Sequence, residues 1–147
     1  MSMTAIQAIR KKLIGNTSIA ALVSTRVGPW KASQSWKRPY ITLLEVSVNP
    51  AHYMSGAFGK RQLRIQVDVW SDTYDECESL SELCRLELDS TPNSEVITIG
   101  ANTFSFDMLF LDSQRELGEA PPSGGEASIY RKQQDYIAWH SEAIPTH

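Results

Sequence analysis

The chain has 147 residues, 41% of them hydrophobic and 21% charged, enough for one folded core and too apolar for wholesale disorder. Its net charge is only −3, yet residues 1–64 hold ten of the 14 Lys and Arg with a single acid, Glu45, while residues 65–147 hold 16 acids against four bases. No apolar run approaches a membrane span and no signal-like segment opens the chain, so a soluble, non-secreted single domain is expected.

Residues 3–14 place Ile6, Ile9 and Leu13 at helical spacing, with Arg10, Lys11 and Lys12 near the carbonyl end of the dipole and Gly15-Asn16 as the stop. A second short helix is expected over residues 18–24, carrying Ile19, Leu22 and Val23. Residues 27–39 read as a loop in which Trp30 and Trp36 alternate with Lys31, Lys37 and Arg38. Such interleaving is one way to bind single-stranded nucleic acid, but no nucleic-acid module accompanies it, and the favoured reading is two indoles covering the core edge with the bases solvated.

Residues 40–48 and 63–70 are predicted strands, the second with Leu63, Ile65, Val67 and Val69 on one face and Arg64, Gln66 and Asp68 on the other. The connection, residues 49–60, reads as a flexible loop too long for a tight turn. Tyr53, Met54 and Phe58 on it suit either a partner surface or a loop folded back on its own domain. At Trp70 the period changes from two to 3.6. Thr73 and Glu76 have capping-box spacing, the first-turn acids suit the helix dipole, and Tyr74, Cys77, Leu80, Cys84 and Leu88 form the expected inward stripe.

Cys77 and Cys84 lie roughly 10 Å apart along such a helix, too far for a disulfide, and no CxxC pair or converging histidine set points to a metal. Residues 96–99 and 104–111 read as strand, turn, strand, with Phe104, Phe106, Met108 and Phe110 on one face and Leu109 and Leu111 on the other. Residues 112–128, with Pro121-Pro122 and Gly124-Gly125, read as a surface loop, and residues 141–147 as a tail. The last strand, residues 129–140, has a polar middle from Arg131 to Asp135 that suits an edge strand or an intersubunit contact.

No nucleophile elbow, phosphate-cradling loop or catalytic dyad is present. Asp68 and Asp107, as outward acids in alternating strands, need no special explanation, so neither catalytic residues nor cofactor or metal ligands are assigned. The fold class these elements predict is α+β, a small single domain with a mostly antiparallel (mixed) sheet of about four to five strands and helices packed on one face.

The order of elements, IAALVSTRVGPW, then PYITLLEVS, then LRIQVDVWSDTYDECESLSELCRLELDS and a closing strand ending YIAWH, resembles the tail-completion or tail-terminator proteins of long-tailed phages, prophages and gene transfer agents. The strand-to-helix stretch from Arg64 to Tyr74 carries most of the likeness. That resemblance implies a non-enzymatic structural protein of the virion, at the head-proximal end of the tail, assembled in the host cytoplasm. It implies a homo-hexameric ring that halts tube polymerisation and forms the head-joining face. Implied partners are other copies of itself, the major tail tube protein, a head–tail connector, and DNA passing through the lumen without sequence-specific binding. Membranes and cofactors are not implied. Contact surfaces in such proteins lie in loops and strand edges, which map here to Tyr53, Met54, Phe58, Lys60, Arg61 and Arg64, and to Arg115, Glu119, Glu126 and Arg131. Competing readings are another head–tail connector or minor tail protein, and a DNA-binding module using the basic, Trp-containing half.

Overall fold

The computed structural model describes residues 4–29, 36–53, 56–89, 95–99, 102–119 and 129–141. Helices α1 (Ala5–Gly15) and α2 (Thr17–Val23) open the chain, followed by β1 (Val27–Pro29), β2 (Tyr40–Tyr53), β3 (Gly56–Ser71), α3 (Tyr74–Leu88), β4 (Glu95–Ile99), β5 (Asn102–Glu119) and β6 (Ile129–Ser141). Thr4 and Gln7 form a reciprocal capping box at the start of α1. Asn16 then serves twice: it ends α1, and its side-chain oxygen accepts from the amides of Ser18 and Ile19 to begin α2.

The strands form one sheet in the order β1-β2-β3-β6-β5-β4. Five strands run antiparallel to their neighbours, and the three-residue β1 adds to β2 in parallel. Ile41 and Leu43 of β2, Leu63, Ile65, Val67 and Val69 of β3, Leu109 of β5, and Tyr136 and Ala138 of β6 share one buried cluster with Ile9 and Leu13 of α1, Ile19 of α2 and Leu80, Cys84 and Leu88 of α3. Burying each of the larger aliphatics contributes about 1.5–3 kcal/mol. The α+β class, with helices packed on a largely antiparallel sheet, is therefore the observed one.

The strands run well past their predicted ends. Residues 49–60, expected as a flexible loop, are mostly ladder: Pro50 pairs with Arg61, His52 with Ala57 and Tyr53 with Gly56, leaving only two residues between β2 and β3. A register shift between Pro50 and His52 absorbs the proline, which has no amide to give the ladder. Residues 112–119, expected as loop, continue β5 against β6 as far as Glu119. The expected loop over residues 27–39 contains β1.

Bulges also reverse faces that alternation alone assigned. The shift between Phe106 and Met108 turns Met108 outward, 46% exposed, and Leu109 inward, fully buried, so Met108 does not share the inward face of Phe104 and Phe106. Tyr74 leaves the expected α3 stripe: it is 50% exposed and meets Tyr130 edge-on at 6.1 Å, while Ser81 takes a buried place on that stripe. The reciprocal box expected at Thr73 is half made, since Thr73 accepts from the Glu76 amide but the Glu76 carboxylate takes its hydrogen bond from Ser71. Finally, β6 is an inner strand between β3 and β5, not an edge. Its polar middle is needed inside the molecule.

Candidate assembly surfaces

Alternate residues of the inner strands turn away from the helices, and there the sheet covers itself. Trp36 lies over Gly28 so closely that a Cβ on that glycine would come within 2.6 Å of the indole. Trp36 meets Tyr40 at 6.1 Å, Tyr40 stacks on Trp70 at 5.9 Å, and the Arg131 guanidinium sits 4.6 Å from the Trp70 ring centre. The Trp70 indole N–H donates to Thr42 Oγ1 at 3.1 Å. Arg131 Nη2 and Gln66 Nε2 both donate to Asp68 Oδ2, at 3.0 and 2.8 Å. Asp68 is thus not an outward acid. Its side chain is only 8% exposed and lies against the Arg131 guanidinium.

Further along the same face Arg64 donates to Asp112 at 2.9 Å and lies 3.8 Å from Asp135, which Arg115 approaches at 4.0 Å. Arg115 stays 64% exposed.

On the helix side a cleft of about 560 Å³ opens between α3 and the β5–β6 ladder, lined by Glu78, Ser79, Ser81, Glu82, Leu83, Gln114 and Lys132. Lys132, 12% exposed, reaches Glu78 at 2.9 Å and lies 3.8 Å from Glu116. The Lys132 hydrogen bond holds the Glu78 carboxyl below its ordinary pKa. Burial pushes the Lys132 ammonium down, but Glu78 and Glu116 outweigh it and the net shift is upward. Behind the cleft Gln134 donates to Ser81 O at 3.0 Å and Gln114 Oε1 at 3.3 Å, and accepts from the Tyr136 hydroxyl at 2.9 Å. That buried network explains the glutamine in an inner strand.

A third surface is the outer part of the β2–β3 hairpin. β6 ends with Ser141 opposite Lys60, and β1 pairs only with residues 41–43, so residues 50–59 form a two-stranded arm with no third strand among the described residues.

Among the described residues no three His, Cys, Asp or Glu converge as metal ligands. Cys77 and Cys84 are buried free thiols, Cys84 pushed up to about 12 by burial, which disfavours the reactive thiolate. No described helix is long and apolar enough to cross a membrane.

The family described as Tail completion protein gp17 matches residues 7–141. The chain belongs to that family. It is accordingly a tail-associated structural protein. Its fold is similar to that of a chain in the virion of a native gene transfer agent particle, with a TM-score of 0.70 and 16% identity over 94% of this chain and 95% of that one. No curated protein matches.

For a member of the tail completion family, the sequence-selected contact residues that the structure describes separate into three groups. Tyr53 ends β2, and Phe58, Lys60 and Arg61 lie on β3, so four candidates fall on the arm or at its base. Arg64 and Arg131 are engaged inside the chain, by Asp112 and Asp135 and by Asp68 and Trp70. Arg115 is exposed, and Glu119 closes β5 opposite Ile129. Met54 and Glu126 lie outside the described residues. The cleft was missed. Its one signal in the sequence is the polar middle of the final strand, Arg131 to Asp135.

Proposed function

We propose that this chain terminates the phage tail tube. Copies of it form a ring, hexameric as the family resemblance implies, that caps the head-proximal end of the tube, stops its polymerisation and presents the face to which the head is joined. The observation that carries this reading is the tail-completion family match across residues 7–141, which includes every described strand and nearly all of the helical layer. The projecting arm and the cleft suit it, because a ring needs two different surfaces on each copy.

Its partners on this reading are other copies of itself, the major tail tube protein on one side and a head–tail connector on the other, with DNA passing through the lumen on the way out of the head. No catalytic step is assigned. The alternative of a single-stranded nucleic-acid site draws no support from the aromatic residues described, since Trp36, Tyr40 and Trp70 use their faces on one another, on Gly28 and on Arg131.

Electron microscopy of tails assembled with and without the chain tests the reading. Without it, tails are expected to lose length control or fail to join heads. Normal tails joined to heads in its absence would refute the assignment.

A further inference from the structure

Two stretches of strand have no neighbour on one side among the described residues. β1 covers β2 only as far as Leu43, so residues 44–49 lie against β3 alone. At the other margin β4 covers β5 only up to Phe106, and the Leu111 amide is taken by Asp89 Oδ1 at 2.8 Å, so residues 112–119 lie against β6 alone. Val46 is 49% exposed on the first stretch, and the Arg115 side chain 64% on the second.

A free margin is a row of backbone donors and acceptors that one more strand can satisfy. Two features of the sheet select a second copy as the source of that strand. First, β2, β3, β6 and β5 alternate in direction, so copies related by rotation about an axis roughly along the strands bring β2 of one antiparallel to β5 of the next. Second, the two margins are offset by a suitable amount. Leu44, Gln66, Asp135 and Ser113 stand on one line across the sheet, so setting residues 44–49 opposite 118–113 slides the neighbour by five residues, about 16 Å. Four strands about 4.8 Å apart and tilted by about 40° accumulate a stagger of about 16 Å when a sheet closes into a barrel.

We infer that residues 44–49 of one copy pair antiparallel with residues 113–118 of the next, so that the sheets join edge to edge around the ring. Each copy gives its β2 margin to one neighbour and its β5 margin to the other, a head-to-tail contact between unlike surfaces. Backbone hydrogen bonds hold the contact, and β1 and β4 bound the two gaps and limit where a neighbour can enter. The inference rests on the ring of the tube-capping reading and names the strands that build it.

Cysteine pairing between separately prepared chains tests the register. Val46→Cys is mixed in turn with Arg115→Cys, Glu116→Cys and Leu117→Cys, three positions because the register shift between Glu45 and Ser47 leaves Val46 without a partner on β3. The native cysteines are buried and do not compete. An interchain disulfide is expected in at least one mixture, in rings or on assembled tails, since the bridge requires Cα atoms within about 7 Å. Its absence from all three would overturn the pairing.

A second set of variants asks whether the backbone carries the contact. Gln114→Pro and Arg115→Pro are compared with Gln114→Ala and Arg115→Ala. Neighbouring amides of a strand point to opposite sides, so one proline removes an amide aimed at β6 and the other an amide aimed at the next copy. The latter variant is expected to fold and to lose ring formation, while both alanine variants keep it. Folded proline variants that both form rings, or alanine variants that both lose them, would also overturn the pairing. Mass measurement and tail morphology separate the two readings: a hexameric ring without any crosslink removes the edge pairing and keeps the cap, whereas crosslinks in a chain whose absence leaves tails normal keep the pairing and remove the cap.

Discussion

The two faces of the sheet are covered to different extents and by different means. On the helix side, Leu63, Ile65, Val67 and Val69 of β3 are at most 1% exposed under α1 and α3. On the open side, Asp68 of the same strand is 5% exposed, with no described helix over it, because Arg131, Gln66 and Trp70 close around it. Stability on the first face comes from packed volume. On the second it comes from matched charges and stacked rings, so the faces should respond differently to the same kind of truncation.

The largest effect is expected on the helix face. Leu80→Ala removes a fully buried side chain and should cost about 3–4 kcal/mol, read from the denaturant midpoint.

Arg131→Ala on the open face should cost about 2 kcal/mol, less than for a fully buried pair because Arg131 is 21% exposed. Adding Asp68→Asn should recover part of that loss, since the cost is a buried charge left without its partner. If the double variant were no more stable than Arg131→Ala, the open face would be held by packing and the contrast would fail. The Trp70 environment should change in the same variants, seen as a shift in tryptophan emission.

The smallest effect concerns the cleft, at the margin of the helix face. The folded-state pKa of Glu78 is lowered, so its stabilisation is present above the unfolded carboxylate value of about 4.3 and is lost as pH falls through the folded value. For Lys132, whose pKa is raised, stabilisation is present below about 10.4 and is lost as pH rises through the folded value. Glu78→Gln should therefore lower Tm near neutral pH and reduce the fall in Tm between pH 5 and pH 3. An unchanged acid limb would show that the Glu78–Lys132 pair does not stabilise the fold.

How much was legible follows from which forces are local. The three helices were readable within a residue or two because their apolar spacing and their caps, Asn16 and Thr73, are contained in each segment. The cores of β2 and β3 were equally plain from alternation. The strand extensions were not, because Asn49, Pro50 and Gly59 argue for a loop, and only pairing with the opposite strand outweighs them. The outward turn of Met108 follows from one extra residue, Asp107, whose effect appears only when β5 is set against β6. Of the candidate contact residues, Arg64 and Arg131 are engaged inside the chain, a use that no local pattern foretold.

By itself the sequence determined the class of the molecule: an α+β domain, its helical layer, the aliphatic face of β3 and a tail-completion family carried by the strand-to-helix turn at Trp70. Only the tertiary structure decided where the charges are used. Opposite charges far apart in the chain, such as Arg64 with Asp112 and Asp68 with Arg131, are brought together by strand order, and strand order is a property of long-range pairing that no local pattern encodes.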